Sequence, residues 1–263
     1  MAEAWTMATA PTAADRPELR RIGLDALGTA LRRGWADFLA APTQLVFLCV
    51  LYPLIGLLAG TLAAGGDAMH LLYPMAAGFA LVGPVAALGL YEISRRREGG
   101  QAAGWRNAFD VLRSPALGSI AALALLLAAI FLAWLWVADM IFTRTVGTLP
   151  GDFSGAMQVV FGTAEGHRLL LWGNLAGLGF AMAVLVLTVV SFPMLLDRDG
   201  GVARAVGTSL RAFAANPVPM LAWGLVVAVL LLLGSLPLFI GLAVVLPVLG
   251  HATWHLYRMV VAR

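Results

Sequence analysis

Long apolar runs alternate along the chain with short segments that hold nearly all of its charge. A helix needs about 20 apolar residues to cross a hydrocarbon core about 30 Å thick. On that measure the runs predict six spans, at about 43–63, 71–93, 116–142, 169–196, 217–234 and 237–260. The last two share one stretch of 45 residues, Pro217 to Val261, about 67 Å of helix at 1.5 Å per residue. One crossing cannot use that length, so Gly234-Ser235-Leu236-Pro237 is read as the turn between them. The expected fold is all-α: one polytopic membrane bundle over 17–263, behind a disordered tail at 1–16. The tail has no apolar core, and the first long run begins too late for a cleavable signal.

The polar segments share a form. Leu31 to Ala41 ends at Pro42, Gly104 to Ser114 at Pro115, and Gly207 to Asn216 at Pro217. Proline is tolerated in a first helical turn and disfavours helix in the residue before it, so each site reads as a joint between a surface helix and a span. Leu24, Leu27, Leu31, Trp35 and Phe38 recur at spacings of three and four, which predicts one apolar helix face lying in the interface. The returning spans match too: Pro84 precedes Arg95 by the same distance as Pro247 precedes Arg258. The simplest account is three copies of one unit, an interface helix followed by a helical hairpin. The linker from Thr143 to His167 reads mostly as loop, with a short helix near Met157 to Phe161.

Composition sharpens this picture. The chain is 61% hydrophobic and 12% charged, and a water-soluble chain so composed could not cover its surface with polar groups. All 17 basic residues are arginine, and fifteen of them fall in the segments that alternate onto one side; only Arg144 and Arg168 fall on the other. Cytoplasmic loops retain such residues, so both termini are expected in the cytoplasm. The net charge of +3 is read as loop arginines meeting anionic headgroups of the bilayer, and no nucleic-acid footprint of clustered basic and aromatic residues is present. The single cysteine, Cys49, allows no internal disulfide and reads as a small hydrophobe.

Ionisable groups inside spans are the natural candidates for chemistry. Glu92 precedes Arg95, Arg96 and Arg97 by about a turn, giving an interfacial ion pair or, alternatively, a substrate or proton site. Asp139 is expected to pair with Arg144 or Arg168. His251 and His255 stand at i and i+4 on one helix face, a spacing that suits interhelical hydrogen bonds or, alternatively, a divalent metal or a haem ligand. Trp254 and Tyr257 read as headgroup-level anchors. Ser191 and Asn174 have no evident partner in the sequence. Gly56 with Gly60, and Gly173 with Gly177, are spaced for close helix packing. Nucleophile elbow, phosphate loop, paired catalytic carboxylates within a span and the His-Glu-x-x-His pattern are all missing, so no enzyme is expected and no cofactor is required.

Four blocks carry a family resemblance: Gly34 to Phe38, Gly83 to Glu98, Pro193 to Asp199, and Gly250 to Arg258. Together they resemble the bacterial integral membrane family named domain of unknown function 2189 (DUF2189), over about Ile22 to Arg258. The resemblance implies a multi-pass protein of the bacterial inner (cytoplasmic) membrane. It brings no established activity and no functional residues. Some members carry names linking them to cytochrome oxidase subunits; this chain has only four histidines, too few membrane ligands for haems and copper, so the link points to an accessory role. The leading expectation is a non-enzymatic accessory or scaffold component of a membrane assembly, working with a membrane-protein partner or as a homo-oligomer. The alternatives are a small-solute transporter or channel of three hairpins, suggested by Pro84, Pro193 and Pro247, and a metal- or haem-binding subunit using His251 and His255.

Overall fold

A computed structural model describes residues 17–42, 69–198, 200–237 and 239–262. The tail at 1–16, the first expected span, Cys49, and the Gly56 and Gly60 pair lie outside the described residues. Among the described residues, four helical stretches are long and apolar enough to cross a membrane: Leu72–Glu98, Leu117–Thr145, Ala164–Asp197 and Pro217–Ser235. They correspond to the second through fifth expected spans. The first of them is divided at Ala87 into α2 (Leu72–Ala86) and α3 (Leu88–Glu98). Before it, α1 covers Asp25–Ala40. After it come a 3₁₀ helix at Trp105–Arg113 and α4 at Leu117–Thr145.

The linker from Thr143 to His167 is more ordered than its glycines suggest. Its helix α5 runs over Phe153–Gly162, and Asp152 caps it by accepting from Gly155 N at 2.7 Å. Thr163 caps the next helix in the same way, accepting from Gly166 N at 3.0 Å. That cap starts the fourth expected span at Ala164, five residues before its apolar run begins.

This span is interrupted at Val189 and Val190, between α6 (Ala164–Thr188) and α7 (Ser191–Asp197). Two causes meet there. Pro193 has no N–H to give the Val189 carbonyl. In addition, Ser209 of α8 (Gly201–Ala215) inserts its hydroxyl into the ladder: Val190 N donates to Ser209 Oγ at 3.3 Å, and Ser209 Oγ donates to the Val186 carbonyl at 2.8 Å. An unbroken helix would join Val190 N–H to Val186 directly. The freed backbone groups are thus satisfied within the protein, as irregular backbone at this depth requires.

The chain ends in α9 (Pro217–Ser235) and α10 (Leu242–Val260). The break between them overlaps the predicted turn only in part: Gly234 and Ser235 stay helical, and α10 begins at Leu242, five residues later than expected. α10 is as long as α9 but less apolar, because His251, His255 and Arg258 fall in its second half. It is also far more enclosed than α9: eleven of its nineteen residues are buried.

The three amphipathic segments each lie on a returning helix: α1 on α10, the 3₁₀ helix on α3, and α8 on α6 and α7. Small residues bring two of these pairs close. A side chain on Gly34 would meet the Ala252 backbone N at 2.6 Å, and one on Gly89 would meet Ala108 at 2.7 Å. The buried face of α1 is rotated from the predicted stripe. Ala26, Leu27, Ala30, Gly34, Asp37 and Phe38 are buried, while Leu24 and Trp35 remain exposed. Close packing on α10 selects the small side of the helix, and the largest apolar side chains are left on its flank. Gly177 packs on Trp134, whereas Gly173 faces open space, so that glycine pair does not act as a unit. Outside the helices, the segment before α1 pairs with the segment after α10: Arg20 N donates to Val260 O at 2.8 Å and Ala262 N to Glu18 O at 3.0 Å. Buried Asn216 holds that segment, accepting from Ile22 N at 2.8 Å and donating to Arg20 O at 3.1 Å.

Candidate functional site

The C-terminal ends of α3, α7 and α10 meet at the arginine-rich end, and three polar networks join them. The first centres on Asp37. Ser94 Oγ donates to Asp37 Oδ2 at 2.6 Å, His255 Nε2 lies 2.8 Å from the same oxygen, and Arg97 Nε donates to Oδ1 at 2.8 Å. His251 Nδ1 lies 2.8 Å from Ser94 Oγ. Since the serine proton is directed at the carboxylate, Ser94 accepts from His251, and the partners assign that ring's proton to Nδ1. Burial pushes the Asp37 carboxyl up, but hydrogen bonds from His255, Ser94 and Arg97 outweigh it and hold the pKa at about 2. The carboxylate is therefore ionised throughout the physiological range. Ser94 is not an activated nucleophile, because no imidazole nitrogen accepts its proton.

The second network centres on Glu92, which is almost fully buried. It accepts from Arg95 Nε and Nη2, both at 2.8 Å, and from Arg96 Nε at 2.9 Å. Arg96 continues to Asp110 at 2.9 Å, and Asp110 also accepts from Asn107 Nδ2 at 2.9 Å. The expected ion pair is present and ties α3 to the 3₁₀ helix. The third network joins α10 to α3 and α7. Arg258 bridges Glu98 and Asp197, each at 3.1 Å. Tyr257 OH donates to Asp197 at 2.7 Å, and Trp254 Nε1 to Glu98 at 3.1 Å. Trp254 and Tyr257 are both buried, so they anchor helix to helix inside the bundle and not at the headgroup level expected of them. Arg198 of the α7 C-cap donates to the Ala262 carbonyl.

Two neighbouring clefts open among these networks and share Arg95, Asp197 and Arg198. One, of about 420 Å³, lies against Glu98 and Arg258. The other, of about 460 Å³, lies against Arg96, Arg113 and the foot of α4 at Ser114 to Ala116.

At the opposite end the contacts are sparser. Asp139 hydrogen-bonds His70 at 2.8 Å, in place of the arginines expected of it. Five helical residues turn Arg144 about 140° away from Asp139, and the His70 ring stacks on Phe142 with centroids 4.2 Å apart, which brings it to the carboxylate. Asn174 has partners after all: Tyr73 OH donates to its Oδ1 at 3.0 Å, and its Nδ2 donates to Leu170 O at 2.7 Å. Ser191 donates to the Leu187 carbonyl. Among the described residues, no group of three or more His, Cys, Asp or Glu is arranged to hold a metal ion. His251 and His255 do share one face, yet each directs a nitrogen at a protein partner on α3 or α1.

Sequence reasoning missed Asp37, Ser94, Glu98 and Asp197. A signal for the first was present: Asp37 stands five residues before Pro42, as Asp110 stands five before Pro115.

A comparison with known families bears on this arrangement. Residues 72–197 match the family model described as predicted integral membrane protein, DUF2189. This stretch belongs to DUF2189. The DUF2189 match begins with α2 and ends with α7, so it includes Glu92, Arg95, Arg96, Arg97, Asp139 and Asn174. Asp37, His251 and His255 lie outside it, as do the blocks Gly34 to Phe38 and Gly250 to Arg258. No curated protein and no solved structure matches the chain. The DUF2189 match and the apolar helices mark the chain as a predicted integral membrane protein.

Proposed function

We propose that this chain is a non-enzymatic accessory or scaffold component of an inner-membrane assembly, built from three interface-helix-plus-hairpin units with both termini in the cytoplasm. One observation carries the reading: three polar networks at the arginine-rich end fasten surface helices to membrane helices. Such an end is a rigid platform. It differs from a transport site, which needs polar groups turned toward a water-filled path near mid-membrane. The helix interruption at Val189 and Val190 would be a natural place for a substrate in a transporter, but Ser209 takes its backbone groups.

The cyclic packing supports the three units. Each amphipathic segment lies on the returning helix of the preceding unit, and α1 closes the ring on the last. Asp37 and Asp110 occupy equivalent positions, and each pairs with a cation or histidine on the returning helix beneath it. The meeting of the arginine clusters at one end supports the orientation. The exposed leucines and valines of α4, α6 and α9 offer faces to lipid or to a membrane-protein partner.

Two measurements test this. Cysteines placed at Gly151 and at Gly100, in a Cys49→Ser background, are reacted with an impermeant maleimide. The Gly151 position is expected to label in intact cells and the Gly100 position only after permeabilisation; the reverse pattern overturns the orientation. Extraction from native membranes in mild detergent is expected to yield a particle containing a second membrane protein. A lone chain that carries solute across reconstituted vesicles would refute the accessory role.

A further inference from the structure

The cleft at the foot of α4 is walled by four guanidinium groups, those of Arg95, Arg96, Arg113 and Arg198, against three carboxylates. The carboxylates are already engaged. Glu92 is 3% exposed and held by Arg95 and Arg96. Asp110 takes Arg96 and Asn107, and Asp197 takes Tyr257 and Arg258. Arg113 stands apart from this saturation. Its side chain is 87% exposed, and its nearest ion-pair oxygen, on Asp110, is 3.8 Å away. The cleft therefore carries an excess of positive charge with guanidinium donors on its rim. Ser114 and Ala116 add the first turn of α4, the positive end of a 29-residue helix. The volume, about 460 Å³, suits a small phosphorylated group. The position suits a lipid: Leu117, exposed on the membrane helix α4, directly follows the lining residue Ala116.

We infer that this cleft binds a phosphate-bearing anion, either the headgroup of an anionic phospholipid or a soluble phosphate, with Arg113 as its entry cation. Guanidinium forks match phosphate oxygens in pairs, and basic pockets beside membrane helices are suited to anionic headgroups. The inference goes beyond the accessory role, and it is tested on purified protein, where topology and partners play no part.

The test is native mass spectrometry of the full chain in detergent, with phosphatidylglycerol or phosphatidylcholine added. Phosphatidylglycerol is expected to be retained in preference. Arg113→Gln should weaken that retention about fivefold, the weight of one arginine near an anionic surface. Arg113→Lys, which keeps the charge, should preserve most of it. Arg33→Gln, at an exposed arginine on α1 that does not line the cleft, should change it less than about twofold, since charge outside the cleft is screened by solvent. Inorganic phosphate that displaces the lipid from the wild type identifies the soluble source; failure to displace it identifies the headgroup. Equal losses in Arg113→Gln and Arg33→Gln would reduce the effect to diffuse surface charge and overturn the site. So would equal retention of both lipids with no binding of phosphate.

Discussion

α9 and α10 are neighbours of nineteen residues each, joined by a short turn, yet they occupy opposite situations. α9 buries four residues, Pro219, Met220, Trp223 and Gly234, and presents the rest of its apolar surface outward. α10 buries eleven and lies among α1, α3, α7 and α9. Hydrocarbon solvates α9 without any need for complementary shape. α10 depends on fitted partners, because its imidazoles, indole and guanidinium must find acceptors away from water. Apolarity makes a helix a membrane span, while polar residues at small-residue contacts make it a centre of assembly.

The sharpest way to break this contrast is Asp37→Ala, which removes the acceptor shared by His255, Ser94 and Arg97. Loss of one member of a buried charged network costs about 3–5 kcal/mol, and thermal unfolding in detergent should register it as a large fall in midpoint. An unchanged midpoint would mean that α1 is not fastened through this carboxylate. Next is Gly34→Leu, which forces a side chain against the Ala252 backbone. Overpacking there is expected to cost about 1–3 kcal/mol, whereas Gly173→Leu, facing open space, should leave the same unfolding curve in place.

Acid gives a smaller and reversible version of the first test. The folded pKa of Asp37 is depressed to about 2 from 3.8, so its stabilisation is complete well above pH 3.8 and is lost as pH falls toward 2. The unfolding midpoint of the wild type should drop between pH 5 and 2.5 by more than that of Asp37→Asn, which cannot titrate. Parallel curves would remove the carboxylate from the account. Least affected should be Leu225→Ala on α9. Leu225 is 65% exposed, and a change within about 0.5 kcal/mol is expected. A larger loss would place a protein surface where lipid is assumed.

The same contrast governs what was legible beforehand. The stretches at 117–145 and 217–235 stand within a few residues of their predicted bounds, because hydrocarbon imposes length and apolarity directly on sequence. A break between the last two helices was legible for the same reason, although Gly234 and Ser235 stay in α9 and α10 starts only at Leu242. Hydropathy cannot tell which side of an apolar helix meets protein, so the enclosure of α10 and the inward turn of Trp254 and Tyr257 had no linear signal. Asp37 was hidden differently. A carboxylate on an amphipathic helix reads as solvated, and only the glycine contact at Gly34 turns that face inward. Glu92 was found because its partners are three and four residues away, within one helix. Asp197 and Glu98 pair across more than fifty residues, and nothing local announces them.

The hydroxyl of Ser209 has a mechanical consequence. It occupies a rung of the α6–α7 ladder, yet it belongs to a helix outside that rod. Withdrawing α8 would free Val190 N–H and the Val186 carbonyl to meet, leaving only the rung that Pro193 denies to Val189. The break in a membrane helix is thus held open by a finger reaching in from a neighbouring helix, and deuterium uptake at the Val190 amide would register the moment the finger lets go.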